Sequence, residues 1–245
     1  MLRLARENGW GYTRILGELR KLGIAKISRS TVVNILREAG LDPSPERSKG
    51  NWNTFIREHL ATLWACDFFT KKIWTTAGLV DCYVLFFIHL GSRRVVVTGM
   101  SVHPDAAWVA QQARNFNVLS AHEATPPTHI IHDLNTKFTK QFDDILEADG
   151  AEGVKVGPRA PNLNAHAERW VQSIKREALD HFIVFGENHL RHLVNEYLAH
   201  YNSERPHQGV GNLPLRELPQ PLDEGDIICF ERLGGRLKHY ERKAA

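Results

Sequence analysis

Hydrophobic residues recur along this chain first at helical spacing and then, from about residue 62, in the continuous apolar runs that are typical of strands. In the first part, Ile15, Leu19 and Leu22 lie three or four residues apart and predict a short helix that ends at Gly23. A second short helix is predicted to follow a serine cap and to end at Gly40. The chain therefore begins with a small helical segment.

The second predicted helix has an apolar inner face and a polar outer face. Its cap is Ser28 or Ser30, and Arg29, Asn34 and Arg37 face outward. These are residue types that contact phosphates and base edges in DNA. The inward residues are Val32, Ile35, Leu36 and Ala39. Two short helices with such an outer face predict a DNA-binding helix-turn-helix, and a plain helical hairpin packed on the main domain is the alternative.

From residue 62 onward the pattern predicts strands that alternate with helices. A helix with Pro104 at its first position separates the third predicted strand from the fourth. The predicted strands cover residues 63–69, 79–90, 93–98, 128–132 and 154–156. The further predicted helices are 138–148, one beginning near residue 164, and 187–201. The order βββαβαβα predicts a mixed sheet with helices on its faces, an α/β architecture.

The composition is that of a globular protein, with 42% hydrophobic and 24% charged residues among 245. Cys66, Cys82 and Cys229 form no CxxC pair, so neither a zinc ribbon nor a disulfide framework is indicated. The longest apolar run, from Tyr83 to Ile88, is too short to cross a bilayer, and no signal peptide opens the chain. We therefore expect a reducing, intracellular setting and no membrane partner.

The net charge of +3 is unevenly distributed. Residues 1–60 carry 11 Lys and Arg against 6 Asp and Glu, whereas the remainder carries 20 against 22. A basic arm on a nearly neutral body indicates an anionic partner, and nucleic acid is the first candidate.

Three carboxylates stand at positions that favour a shared site. Asp67 interrupts an apolar strand, Asp133 follows the strand that ends at His132, and Glu168 lies in the first turn of a helix capped by Asn162 or Asn164. Burial of an unpaired carboxylate is costly, so Asp67 requires a cation or hydrogen-bond donors. Taken one at a time, each acid could equally be a helix cap or a member of a surface ion pair.

The helix that carries Glu168 has two distinct faces. Glu168, Gln172 and Lys175 recur along one face, while the apolar stripe consists of Ala167, Trp170, Val171 and Ile174. A convergent trio of acids fits two-metal phosphoryl transfer, because Mg²⁺ prefers oxygen ligands and two such ions can activate the attacking oxygen and stabilise the leaving one.

Motifs around these acids resemble those of the Asp-Asp-Glu transposases, the bacterial insertion-sequence relatives of retroviral integrases. The similar segments are Trp64-Ala-Cys-Asp67-Phe-Phe, Ile131-His-Asp133-Leu-Asn-Thr-Lys-Phe and Pro158-Arg-Ala-Pro-Asn-Leu-Asn-Ala-His-Ala-Glu168-Arg-Trp. Ser92-Arg-Arg-Val-Val and Tyr201-Asn-Ser-Glu-Arg-Pro-His207-Gln-Gly also resemble family segments. The spacing of 35 positions between Asp133 and Glu168 is close to that of the family.

The resemblance implies a ribonuclease-H-like mixed five-stranded sheet with flanking helices, preceded by a small all-α helix-turn-helix. The implied domains are a helix-turn-helix at 1–42, a linker at 43–58, a catalytic core at 59–205 and a C-terminal tail at 206–245. Asp67, Asp133 and Glu168 would be the catalytic residues and the ligands of two Mg²⁺ or Mn²⁺ ions. The DNA-binding residues would be Arg29, Asn34, Arg37, Arg169, Gln172 and Lys175.

The implied activity is DNA 3′-end cleavage and strand transfer of a mobile element, without a covalent protein intermediate. The expected partners are double-stranded DNA, as element ends and target, and further copies of the chain. The expected location is the bacterial cytoplasm, on the nucleoid when DNA is bound. A nuclease of the same fold and a catalytically inactive, element-derived DNA-binding protein are the alternatives.

Overall fold

The structure is a computed structural model that describes residues 1–7, 10–24, 27–41, 54–156, 165–216 and 225–242. The chain divides into two compact units, residues 1–59 and 60–245. The predicted linker, 43–58, lies mostly outside the described residues, and its final part belongs to a helix at residues 54–59. The predicted caps Asn162 and Asn164 also lie outside the described residues.

The first unit is helical. Its helices are α1 (Leu2–Glu7), α2 (Tyr12–Lys21), α3 (Arg29–Glu38) and α4 (residues 54–59). The residues buried in its common core are Ala5, Tyr12, Ile15, Leu16, Leu19, Val32 and Leu36. The two predicted helices are thus present and share one hydrophobic core.

The apolar stripe of α2 differs from the prediction at one position. Leu22 was expected to face the core, but its side chain is 69% exposed because α2 ends at Lys21 and Leu22 is the residue that follows it. Gly23 then adopts φ +82°, a conformation that terminates the helix. Leu16 and Tyr12 complete the buried face instead.

The second unit is built on a mixed five-stranded sheet in the order β3-β2-β1-β4-β5. The strands β1, β2 and β3 are antiparallel neighbours, and β4 and β5 run parallel to β1. Their bounds are Leu63–Thr75, Gly78–His89, Val95–Ser101, His129–Asp133 and Glu152–Val156. The tight connections join the antiparallel strands, whereas helices make the crossovers to the parallel ones, as parallel pairing requires.

Helices cover both faces of this sheet. The helices α5 (Ala106–Ser120) and α6 (Lys140–Glu147) lie on one face. On the other face, α7 (Ala165–Glu177) and α8 (Gly186–Ser203) contact each other through the rings of Trp170 and Tyr201. The buried residues between the sheet and α5 and α6 include Trp64, Cys66, Phe87, Phe116, Ile130 and Phe142. This arrangement confirms the predicted α/β architecture, a mixed five-stranded sheet with flanking helices.

Several element boundaries differ from the sequence prediction, and three of these differences have a clear physical reason. The strand β1 continues to Thr75, six residues further than expected, because it pairs with β2 along its whole length to Gly78. The helix α5 is capped by Asp105, whose Oδ1 accepts a hydrogen bond from the Trp108 amide at 2.7 Å, so Pro104 precedes the cap. Asp133 is the last residue of β4 and not the first of the following loop.

The region predicted as a C-terminal tail contains a hairpin of two strands, β6 (Ile227–Arg232) and β7 (Leu237–Arg242). Arg232 fixes this hairpin to α8, since its guanidinium pairs with Glu196 at 3.0 Å and with Glu204 at 2.6 Å. In the described residues there is no helix that is long and apolar enough to cross a membrane.

Candidate active site

Asp67 and Asp133 occupy equivalent positions on neighbouring parallel strands. The recorded pairing of β1 with β4 ends where Ala65 lies opposite Ile131, and each aspartate follows two residues later on its own strand. Adjacent strands lie about 4.8 Å apart, and residues two apart on a strand point to the same face. The two carboxylates therefore lie side by side on one face of the sheet.

That face is the one covered by α7. Phe69, two residues after Asp67, contacts the ring of Trp170 on α7, with ring centroids 5.7 Å apart. Phe86, which lies directly opposite Asp67 on β2, also packs on Trp170 at 4.3 Å. The sheet face with both aspartates thus points toward the helix that carries Glu168.

Glu168 lies in the first turn of α7, and its side chain is exposed. Its neighbour Ala167 is fully buried, as are Trp170 and Ile174, so the apolar stripe anchors α7 on the sheet and Glu168 projects from the edge of that contact. Within the described part of the chain, no group of three or more His, Cys, Asp or Glu residues is close enough to hold a metal ion. The structure places Asp67 and Asp133 at equivalent positions on the sheet face that α7 covers, with Glu168 on α7 at the same face, and it does not gather the three acids into one metal site among the described residues.

Backbone amides hold both aspartates in place. One Asp67 oxygen accepts a hydrogen bond from the Phe68 amide at 2.7 Å, and one Asp133 oxygen accepts from the Asn135 amide at 3.0 Å. Asn135 in turn accepts from the amide of Lys137 at 3.1 Å, which orders the loop after β4. Burial raises the pKa of the Cys66 thiol, and the negative charges of Asp67 and Asp133 raise it further, so both carboxylates lie near this buried side chain.

The polar residues of α7 divide between two flanks of the helix. At about 100° per residue, Glu168, Gln172 and Lys175 project from one flank, whereas Arg169 and Arg176 project from the other. Gln172 and Arg169 are exposed, and Lys175 is half-buried. Gln172 and Lys175, but not Arg169, therefore lie along the helix beside Glu168.

In the first unit, the predicted DNA-binding residues lie on the surface. Arg29, Asn34 and Arg37 of α3 are all exposed, while Val32 and Leu36 of the same helix are fully buried. Ser28 is the cap, because its Oγ accepts a hydrogen bond from the Thr31 amide at 3.1 Å. The helix thus presents these three side chains to solvent from a fixed backbone.

A basic cavity that no sequence pattern indicated lies next to α7. Arg93, Arg205 and Arg236 line this cavity together with Arg169 of α7. Arg93 and Arg205 belong to the motifs Ser92-Arg-Arg and Arg205-Pro-His, to which the sequence analysis assigned no function. Burial, with the positive charges of Arg93 and Arg169, lowers the pKa of His166 in the same wall to about 4.

A buried polar network on the opposite face of the sheet was also missed. His132 Nε2 lies 2.9 Å from Asp143 Oδ1, and the Lys155 ammonium lies 2.7 Å from the other oxygen of Asp143. Asp143 lies in the first turn of α6. The amphipathic pattern of this helix gave no sign that the aspartate is buried, but only 8% of its surface is exposed. The network joins β4, β5 and α6 and therefore braces the strand that ends at Asp133.

Residues 152–214 match a protein-family model described as the integrase core domain. The matched segment contains Glu168, α7 and α8, whereas Asp67 and Asp133 lie before it. Over this segment, about a quarter of the chain, the protein is similar to the integrase core domain, and the bacterial insertion-sequence origin stays a prediction. A search of the curated proteins finds none that matches the chain.

Solved structures of viral integrases are similar to this chain. The catalytic core domain of HTLV-2 integrase in complex with magnesium, in its dimeric form, is 15% identical with a TM-score of 0.45 over 58% of this chain and 86% of its own. The intasome of simian T-cell lymphotropic virus, in complex with the PP2A regulatory subunit B56 gamma, is 15% identical with a TM-score of 0.44. That match covers 71% of this chain and 64% of the viral chain.

Proposed function

We propose that this chain, whose residues 152–214 match the integrase core domain, is a transposase or integrase that cleaves DNA at the 3′ ends of a mobile element and joins them to target DNA. The observation that carries the proposal is the placement of Asp67 and Asp133 side by side on the sheet face that α7 covers. Glu168 lies on α7 above the same face.

The donor chemistry of these residues fits a divalent cation. Carboxylate oxygens are the ligands that Mg²⁺ and Mn²⁺ prefer, and neighbouring carboxylates repel each other unless a cation or a proton compensates them. Asp67 and Asp133 would hold the metal, and Glu168 would complete the ligand set from α7. Two bound ions supply an activated oxygen nucleophile and stabilise the leaving oxygen of a phosphodiester.

The other predicted site residues would position the DNA. Gln172 and Lys175 follow Glu168 along one flank of α7, where they would contact the strand whose end is processed. In the first unit, Arg29, Asn34 and Arg37 would bind the element end from the exposed side of α3. The chain would act as a multimer on double-stranded DNA, since two element ends must be joined to one target.

The test is a cleavage and strand-transfer assay on labelled duplexes that carry the gene's own flanking sequences, with Mg²⁺ or Mn²⁺. Glu168→Gln preserves the size of the side chain but removes the anionic ligand, so we expect both steps to fall more than about 100-fold while the DNA affinity is retained. Glu147→Gln, at an exposed position on α6, is the matched control and should behave as the unmodified protein.

Each other outcome of the assay would indicate a different function. Cleavage without joined products would identify a nuclease of the same fold. Tight DNA binding without any metal-dependent chemistry would identify an element-derived DNA-binding protein and overturn the proposed activity. Equal activity of Glu168→Gln and Glu147→Gln would remove Glu168 from the catalytic residues.

A further inference from the structure

A cavity of about 790 Å³ lies against the flank of α7 that carries Arg169 and Arg176. Its walls come from α7, from the turn after β2, from the end of α8 with the segment that follows, and from the turn between β6 and β7. On α7 it extends from His166 to Glu177, a distance of about 16 Å along the helix axis. Gln172 also contributes to the wall and connects this flank with the flank of Glu168.

The charge of the cavity wall is strongly positive. Five guanidinium groups line it, those of Arg93, Arg169, Arg176, Arg205 and Arg236, against the single carboxylate of Glu177. That carboxylate is already bound by Arg205, whose Nη2 and Nε donate to its two oxygens at 2.8 and 3.0 Å. Arg169 and Arg176 form no ion pair with any residue that the structure describes. The wall therefore holds four positive charges that have no acidic partner among the described residues.

Arg93 contributes a buried hydrogen-bond donor to the cavity wall. Its Nη1 is buried and has no hydrogen-bond partner among the described residues, and its backbone adopts the left-handed φ of 67°. A buried donor without an acceptor destabilises the folded state, and a left-handed backbone at a residue other than glycine adds to that cost. The indole Nε1 of Trp170, in the same wall, is likewise buried without an acceptor in the described chain.

We propose that this cavity binds phosphodiester groups of a DNA strand, as a second contact surface on the flank of α7 that carries Arg169 and Arg176. Arginine suits this ligand because its planar fork donates two parallel hydrogen bonds to phosphate oxygens. A strand held beside Glu168 can continue past Gln172 into the cavity, so the bound DNA would cross α7. The choice of DNA as the source of the phosphate rests on the proposed function, whereas the anion site rests on the arginines alone.

The experiment measures binding, and it is therefore independent of catalysis. The dissociation constant of a labelled duplex with the gene's flanking end is determined between 50 and 200 mM salt for the full chain. It is compared with that of Arg93→Gln, Arg176→Gln and the double variant. Loss of a phosphate contact lowers the magnitude of the slope of log K against log salt by about 0.9. We expect a loss of affinity of about tenfold or more in the double variant and a shallower slope in each single one.

Arg114→Gln is the matched control, because it removes the same charge from an exposed position on α5, on the other face of the sheet. It should change neither the affinity nor the slope. Since Arg93 holds a tight turn, thermal melting checks that its variant is folded, and the exposed Arg176 supplies the test even if Arg93→Gln is unstable.

Inorganic phosphate distinguishes the two sources of the anion. If phosphate stabilises the unmodified protein through these arginines while the DNA affinity of the double variant is unchanged, DNA is not the ligand and the proposal is overturned. Unchanged affinity and slope in both single variants overturn it as well. If the arginine variants lose DNA affinity but the unmodified protein joins no ends, the cavity assignment stands and the proposed strand-transfer activity fails.

Discussion

The side-chain oxygens of Ser28, Asp133 and Asn135 each accept a hydrogen bond from a backbone amide two or three residues further along the chain. Short polar side chains make this contact readily, which is why they start helices and turns. At Ser28 the contact fixes the first turn of α3, and at Asp133 and Asn135 it fixes the loop beside the candidate active site. Local chemistry of single residues thus orients the surfaces that we propose to bind DNA and metal.

Replacement of Ser28 tests whether its side chain caps and stabilises α3. Ser28→Ala leaves the Thr31 amide without its acceptor, so we expect the free energy of unfolding of the first unit to fall by about 1 kcal/mol. Amide hydrogen exchange along α3 measures the change. Ser30→Ala is the control, since the Ser30 hydroxyl contacts the Ser28 hydroxyl and accepts from no amide that the structure describes. Equal exchange in the two variants would contradict a capping role.

Among the elements, α7 makes its aromatic contacts with the sheet through one residue, Trp170. Trp170 is 1% exposed and packs against Phe69 and Phe86 of the sheet and Tyr201 of α8. The rings join four elements, α7, β1, β2 and α8, and Glu168 lies two residues before the tryptophan. The position of Glu168 therefore depends on how firmly this indole is packed.

Trp170→Ala removes this anchor and leaves a cavity. We expect the free energy of unfolding, measured by urea titration, to decrease by about 3–5 kcal/mol. The Trp170→Ala molecules that remain folded should also lose strand-transfer activity, because α7 no longer holds Glu168 near the aspartates. Trp74→Ala, where the indole is 49% exposed at the far part of β1, should cost much less. Similar losses in both variants would show that Trp170 is not the anchor.

For the whole second unit, buried histidines couple stability to pH. Burial lowers the pKa of His89, His200 and His207 below the ordinary value of 6.5, so the folded state binds fewer protons than the unfolded state. The contribution of these neutral histidines to the free energy of unfolding is therefore fully present above pH 6.5. It is lost as the pH falls from 6.5 toward their lowered folded-state pKa values. Burial raises the pKa of Glu204, but hydrogen bonds from Arg232 and His200 outweigh it and hold that pKa below its ordinary value.

We therefore expect the melting temperature to fall steadily between about pH 7 and pH 5, and more steeply below pH 4.5 as Glu204 becomes protonated. His89→Gln cannot titrate and should flatten the upper part of this profile. His103→Gln, at an exposed position, should leave the profile unchanged. A melting temperature that is constant from pH 7 to pH 5 would exclude the coupling.

Much of the architecture follows from local patterns. Apolar residues at helical spacing predicted α2, α3, α5 and α7, and apolar runs predicted five strands in the observed order. The prediction of these elements succeeds because the spacing of the apolar residues determines which of them share one face of a helix or strand. An apolar face must be buried, whichever other element covers it. The prediction erred at segment ends, as at Leu22 and in β1 beyond Phe69, where pairing with another segment decides how far an element continues.

The sequence by itself determined most of the elements between residues 12 and 203, the basic charge of the first unit and the three acids that were singled out by their types and by their resemblance to a family. Only the tertiary structure decided that Asp67 and Asp133 stand at the same level of adjacent strands, since that depends on the register of β1 against β4. It also decided that Arg93, Arg205 and Arg236 meet beside α7. Residues more than 100 positions apart come together through the strand order and helix packing, and no local period encodes those contacts.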